Sequence, residues 1–244
     1  MDSTYREITP SPNLASFVEC FWIGEVLRDF TARVLPDGCS DILFVTREND
    51  LVETQFVGVM PRPRLVPLSA GTSLLGVRFH PGMAGACLAC DVPAQNDRTV
   101  PIQSVCGPAA DDLVRLVGRQ SSLERRIAAI EDRLSSLPTI TRVQRAIAEL
   151  VGRKGQFTID DFAGLADISQ RQLRRTCRQQ SGLAPKQLAR ILRFRHAIGR
   201  LRQGENDMVK LALDCGYYDQ AHMIRDFRTL AGISPVRYLR QYGQ

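Results

Sequence analysis

The sequence predicts an α+β chain, a small β-barrel or sandwich with a few helices followed by an all-helical half. Three observations predict it. Short β-leaning runs separated by turn residues occupy residues 14 to 80, helix-capping signals fill the chain after Thr141, and the second half repeats itself at a period of about 50 residues. At 244 residues, 44% apolar and 24% charged, the chain suits one large or two ordinary globular domains. That composition excludes a disordered, collagen-like or disulfide-stapled chain.

The β-leaning runs are Phe17 to Val26, Thr31 to Leu35, Asp41 to Thr46, Gln55 to Val59, Arg64 to Leu68 and Leu74 to Phe79. Turn residues divide them at Pro36-Asp37-Gly38, Asn49-Asp50, Pro61-Arg62-Pro63 and Ala70-Gly71. After His80-Pro81-Gly82 the pattern becomes helical, over Met83 to Ala89 and Ala109 to Val117. A further helix is expected from Ser121, where Ser121-x-x-Glu124 reads as a capping box, with Leu123, Ile127, Ile130, Leu134 and Leu137 on one face. That stripe must bury in the core or against a second copy of the chain, and core burial is the favoured reading. Beyond it, Thr141-x-x-Gln144, Thr158-x-x-Asp161, Ser169-x-x-Gln172 and Pro185 each open a helix; Asn206 or Asp207, Asp219 and Ser234-Pro235 open three more.

Charge divides the chain at Pro138. Up to that residue stand 13 basic and 17 acidic residues, a net of −4; from Thr139 onward stand 19 and 9, a net of +10. Of the 32 basic residues 29 are arginine, the side chain suited to bidentate phosphate and guanine contacts. The basic half is where a polyanion would bind.

The repeat lies in that half. Leu173, Arg175, Cys177, Gly182, Leu183 and Pro185 match Met223, Arg225, Phe227, Gly232, Ile233 and Pro235 at one offset, while Ala163, Ala166 and Asp167 match Ala212, Cys215 and Gly216 one residue closer. Each unit reads as a short helix, a tight turn, a longer helix and a Gly-x-x-Pro step, which is the helix-turn-helix layout. A helical solenoid is the alternative, but two copies are fewer than such arrays need. On the longer helices Leu173 and Cys177, and Met223, Phe227 and Leu230, form buried stripes. Ser169, Arg171, Arg174, Arg175 and Arg178 are left free on the first, and Gln220, Ala221, His222, Arg225 and Arg228 on the second. A helix of this kind enters the DNA major groove with residues near its N-terminus at base edges.

From Thr139 to Gln244 the chain resembles the AraC/XylS family of bacterial transcription regulators. The resemblance is carried by Leu165-Ala166, Ser169-x3-Leu173-x-Arg175 and Gly182-x-x-Pro185. It continues through Leu211-Ala212-x3-Gly216-Tyr217-x5-Met223-x-Arg225-x-Phe227-x4-Gly232-Ile233-Ser234-Pro235-x-x-Tyr238. It implies two helix-turn-helix units joined by the helix from Pro185, with recognition helices in successive major grooves about 34 Å apart on one DNA face. It places base-contacting positions on Arg171, Arg174 and Arg175 and on Gln220, Ala221, His222 and Arg225. The chain departs from the family at Asp167, where glycine is common, and at Cys177, where an aromatic is common; both departures predict a less firmly packed first unit.

The first half, through Leu14-x-x-Phe17-Val18-x3-Trp22, Leu35-Pro36-Asp37-Gly38-x-x-Asp41-Ile42-x-Phe44 and Gly76-x-x-Phe79-x-Pro81-Gly82, resembles a cupin-like domain that precedes AraC-type DNA-binding domains. That resemblance implies effector sensing or dimerisation and names no ligand. On the residues alone, Trp22 reads as core, and Asp37 and Asp41 as turn and cap.

These readings predict a sensing or dimerisation domain over residues 1–120, a linker helix over 121–138 and a DNA-binding domain over 139–244. They predict a sequence-specific, ligand-responsive activator, homodimeric and cytoplasmic, that works on double-stranded promoter DNA with RNA polymerase and needs no cofactor. The polar start and the lack of an apolar run of about 18 residues predict neither signal peptide nor membrane span. Seven cysteines, an odd number, predict free thiols. His80, Cys87, Cys90 and Cys106 offer four N/S donors for a metal- or thiol-responsive alternative, against which buried thiols on a helix are ordinary packing. No phosphate loop, Gly-x-Ser-x-Gly elbow, His-Glu-x-x-His or Pro-Cys-His-Arg motif is present and only three histidines are, so an enzyme is not expected. Two unlike recognition helices also disfavour an architectural DNA binder.

Overall fold

A computed structural model describes residues 2–88, 91, 92, 95–135 and 139–242. The first half is built on a six-stranded antiparallel sheet in the order β1-β2-β7-β4-β5-β8. Its strands are β1 (Ser3–Ile8), β2 (Val18–Val26), β4 (Ser40–Arg47), β5 (Asp50–Val57), β7 (Thr72–Phe79) and β8 (Thr99–Pro101). Among the described residues, strands β3 (Phe30–Val34) and β6 (Arg64–Leu68) pair only with each other, as a separate ribbon. The expected barrel is therefore not closed among the described residues: β1 and β8 remain edges of an open sheet. Residues 48 and 49 join β4 to β5, both at positive φ, the geometry of the two-residue hairpin turn that matches strand twist.

Two strands lie outside the sequence expectation. Strand β1 pairs with β2 from Ser3 opposite Val26 to Ile8 opposite Phe21. As an edge strand with no buried residue it needs few apolar side chains, so its polar sequence carries no strand signal. Strand β8 is three residues long, too short for any periodicity to show.

Alternation along the strands separates the two faces of the sheet. Phe21, Ile23, Ile42, Phe44, Phe56, Leu75, Val77 and Phe79 are buried on one. The other carries Trp22 and Arg78. Gly76 stands opposite Trp22, whose indole fills the space where a Cβ would be. Trp22, expected as core, is half-buried and donates Nε1–H to Asp41 Oδ2 at 3.0 Å, with Tyr5 stacked on it. Arg78 Nε lies 3.4 Å from both Asp37 Oδ2 and Asp41 Oδ1. Burial, set against the attraction of Arg78, pushes the Asp41 carboxyl up to about 6. Asp37 also makes the expected turn by accepting from Cys39 N at 2.9 Å.

Helices α1 (Ala84–Leu88), α2 (Gln103–Cys106), α3 (Ala109–Gly118) and α4 (Leu123–Arg133) follow. The cap of α4 is Ser122, whose Oγ accepts from Arg125 N, and not Ser121 as the capping-box reading expected. Ile130 and Leu134 are fully buried, while Leu123 and Ile127 are half-buried against the same core, so the α4 stripe packs inward. Leu137 lies outside the described residues.

The second half is all helical: α5 (Arg142–Gly152), α6 (Ile159–Ala166), α7 (Gln170–Ser181), α8 (Pro185–Arg202), α9 (Met208–Asp214), α10 (Gln220–Ala231) and α11 (Pro235–Tyr242). Capping boxes form at Thr141, Thr158 and Ser169, and Asp207 and Asp219 cap α9 and α10, as their sequences predict. The buried apolar residues of both halves form one continuous cluster. Helix α8 lies at its centre, with buried residues spread around it from Pro185 to Leu201.

Replacing the fully buried Ile130 with Asp places an unpaired carboxylate in this core. The expected result is loss of about 3 kcal/mol or more of stability, read as a lowered thermal midpoint, rather than a folded protein with an altered sedimentation coefficient.

Candidate nucleic-acid interface

Helices α7 and α10 are the second helices of two equivalent units, and each is fixed at both ends by local chemistry. At the start of α7, Ser169 Oγ accepts from Gln172 N while Gln172 Oε1 accepts from Ser169 N at 3.1 Å. At the start of α10, Asp219 Oδ1 accepts from His222 N at 2.6 Å. Gly182 and Gly232 end the two helices in the left-handed conformation, at φ 72° and 75°.

The inward faces agree with the stripe pattern. Leu173 and Cys177 on α7, and Met223, Phe227 and Leu230 on α10, are buried. Phe227 meets Phe194 of α8 edge-on at 4.9 Å. The turn between α6 and α7 is made without glycine: Asp167 itself adopts φ 53° and reaches Arg142 at 2.8 Å, where the second unit has Gly216 at φ 75°. Cys177 fills its site beside Ser181, whose Oγ donates to Cys177 O at 2.8 Å, so the first unit is closed at both departures.

The outward faces of α7 and α10 differ from the arginine-bearing faces of α8. Ser169, Arg171, Arg174, Arg175 and Arg178 on the first unit are exposed, as are Ala221, Arg225 and Arg228 on the second. Arg171, Arg174, Arg175, Arg178 and Arg225 make no side-chain hydrogen bond or ion pair among the described residues. The arginines of α8, by contrast, are occupied. Arg190 pairs with Asp226, Arg193 donates to Gly155 O, and Arg195 pairs with Glu19; Arg200 binds Glu205 and Asp214, and Arg202 donates to Tyr238 Oη. Arg228 has no such partner either, so among the described residues six free guanidiniums stand on the two helices that the sequence singles out.

Gln220 and His222 are half-buried. The His222 ring packs edge-on against Tyr217 at 5.3 Å, and its Nε2 lies 4.0 Å from Asp226 Oδ2. Sequence reasoning missed Asp226, a buried carboxylate that joins α10 to α8 through Arg190 at 2.7 Å. Its spacing, three residues after Met223 and four before Leu230, marked it as part of the inward face, the available signal. Tyr218, in the turn before Asp219, is 87% exposed and was not singled out either.

Among the described residues, His80, Cys87 and Cys106 do not form a metal-holding group. His80 Nε2 sits 3.2 Å from Ala15 O, and Cys87 lies on α1, where burial pushes its thiol up to about 12, away from the thiolate a metal needs. Cys106 closes α2, and Cys90 lies outside the described residues. Among the described residues no three His, Cys, Asp or Glu side chains are arranged to hold a metal ion. No helix is long and apolar enough to cross a membrane among those residues.

Comparison with known proteins gives two family matches, a helix-turn-helix domain over residues 162–241 and a domain of unknown function (DUF6597) over residues 6–101. The HTH-type transcriptional activator RhaR of Escherichia coli (strain K12) is 27% identical over 133 residues, 54% of this chain and 47% of the relative; RhaR of Shigella flexneri gives the same values. The chain thus spans about half the length of the curated relatives it matches. Among solved structures, the DNA-binding domain of AdpA in complex with a target DNA covers 43% of this chain and 98% of its own, at 24% identity and TM-score 0.40. An AraC-type regulator from Chromobacterium violaceum covers 42% and 93%, at 26% and 0.39. ToxT from Vibrio cholerae covers 98% of both chains, at 12% and 0.48.

The left-handed Asp167 generates a stability prediction. Asp167→Gly removes the cost of that conformation for a residue with a Cβ and sacrifices only an exposed ion pair, so stability should rise by about 0.5 to 1 kcal/mol in denaturant titration.

Proposed function

We propose, on the premise that the chain belongs to the AraC/XylS family of transcription regulators, that it binds a defined sequence of double-stranded DNA and regulates transcription from it. The observation that carries this reading is the set of free guanidiniums on α7 and α10, set against the paired arginines of α8. An arginine held in an internal ion pair is unavailable to phosphate or guanine; a free one at the exposed face of a capped helix is available to both. The net charge of +10 from Thr139 onward adds attraction for a polyanion.

In this reading Ser169, Arg171, Arg174, Arg175 and Arg178 of the first unit, and Gln220, Ala221, His222 and Arg225 of the second, form the DNA-contacting set. Residues near the helix starts reach base edges, and Arg178, about two turns along α7, meets phosphate. Residues 139–244 act as the DNA-binding domain, and residues 1–120 with the 121–138 segment act as a sensing or dimerisation domain. The matched relatives are named as transcriptional activators, which favours activation, with RNA polymerase as the further partner. A small-molecule effector, a homodimer and a cytoplasmic location complete the proposal. No enzymatic activity is assigned.

The test is binding to a duplex enriched from a random library by the intact protein. Arg171→Ala or Arg174→Ala should each weaken binding to that duplex by about 1 to 3 kcal/mol and weaken binding to random DNA less. Equal losses on both would reduce the two residues to phosphate contacts. Affinity for either duplex should fall steeply with salt, by about a thousandfold between 50 and 200 mM if some six phosphates are engaged. A flat salt dependence would count against the charge assignment.

A further inference from the structure

The amino-terminal half touches the two helix-turn-helix units at equivalent points of the repeat. Gly182 ends α7 and Gly232 ends α10, both left-handed and at matching places in the two units. At the first, the Asn96 side-chain amide donates to Gly182 O. At the second, Arg33 of β3 donates Nη1–H to Ala231 O, the carbonyl just before Gly232, at 3.1 Å. Both glycines are in close contact with their partner, since a Cβ on Gly182 would overlap the Asn96 amide and one on Gly232 would come within 3.0 Å of Arg33 Nη1. The last carbonyls of a helix lack intrahelical partners and carry negative partial charge, so a guanidinium and an amide N–H are suited to hold them.

The two points are also connected to each other. Arg64 stands on β6, opposite Val34 and next to the Leu65 that pairs with Arg33. Its guanidinium donates to Asp97 O, in the turn that carries Asn96, and at 3.1 Å to Thr99 Oγ1 at the start of β8. That turn is fixed to the end of β5 by bonds from Asp97 N to Val59 O and from Gly58 N to Arg98 O, both 2.9 Å. A continuous strut runs from α7 through Asn96, Asp97, Arg64, the β6–β3 ribbon and Arg33 to α10. Between its ends, Glu19 pairs with Arg195 of α8 and Gly38 lies against Leu188 and Ile191 of the same helix.

We propose that Asn96 and Arg33 are positioning residues for DNA reading, fixing through this strut the separation and angle of the two recognition helices from the ends remote from the capped helix starts. The inference rests on the DNA-binding function proposed above. Since α7 and α10 would enter successive major grooves, their relative placement has to match the helical repeat of the duplex. A strut that holds both makes the second contact nearly intramolecular once the first is formed, with the gain that rigid linkage gives.

The experiment uses the intact chain and three variants, Asn96→Ala, Arg33→Ala and the double substitution. The probe is the duplex enriched by the wild type from a random library, with zero, one or two base pairs inserted between its two protected segments. Each inserted pair shifts the second segment by about 3.4 Å and turns it by about 34°. The wild type should lose about tenfold or more in affinity per inserted pair, and the double variant should lose about threefold or less. Arg33→Lys, which keeps a cationic donor, should restore most of the discrimination. Thermal melting on the same samples separates positioning from folding: a merely structural contact would lower the melting temperature and weaken binding equally at every spacing, which overturns the proposal. Retention of full discrimination by the double variant overturns it too. Failure of the wild type to enrich any duplex would overturn the DNA-binding function and this role together.

Discussion

Burial of α8 on nearly all its sides is the constraint on which the rest of the structure depends. A surface helix shows one apolar stripe; α8 buries Leu188, Ala189, Ile191, Leu192, Phe194, Ala197, Ile198 and Leu201, which do not fit on one stripe. It therefore needs partners on several faces. The loop between α5 and α6, which leads into the first helix-turn-helix unit, supplies one, since Gly155 approaches Ala189 O too closely to admit a Cβ. The second unit supplies another through Phe227 and the Arg190–Asp226 pair. The amino-terminal half covers the remainder at Gly38, with Glu19 reaching Arg195. Satisfying one apolar helix thus brings all three parts of the chain into one core.

The same constraint sorts the arginines. On α8 the polar positions fall between packed elements, where an unpaired charge is costly, and each arginine finds a carboxylate, a carbonyl or a hydroxyl. On α7 and α10 only one side is buried, and the arginines of the other side face solvent without partners. What distinguishes the proposed DNA-contacting face is thus the absence of internal partners for its arginines among the described residues, more than their number.

The helical half was legible because its signals are local. Capping boxes act across three residues, the left-handed residue that ends a helix is one position, and the 50-residue offset compares like with like. Asp167 shows the limit of such reading: the substitution for glycine was visible, but its adoption of the same left-handed turn, with Arg142 at hand, was not. The strand register and open sheet were less legible, because β1 is an edge and the β3–β6 ribbon separates from the main sheet through pairings that no short window records. Trp22, Asp37, Asp41 and Gly76 were each visible as motif residues. Their convergence with Arg78 depends on the register of β2, β7 and β4. Least legible were the contacts between halves: Glu19 and Arg195 lie 176 residues apart, and nothing local to either announces the other.

Two recognition helices held in one rigid arrangement would read one face of a duplex. Hydroxyl-radical footprinting of the intact protein on an enriched duplex tests this most directly. Two protected segments are expected on the same face, centred about one helical turn, or 10 to 10.5 base pairs, apart. A single protected segment, or two on opposite faces of the duplex, would contradict it.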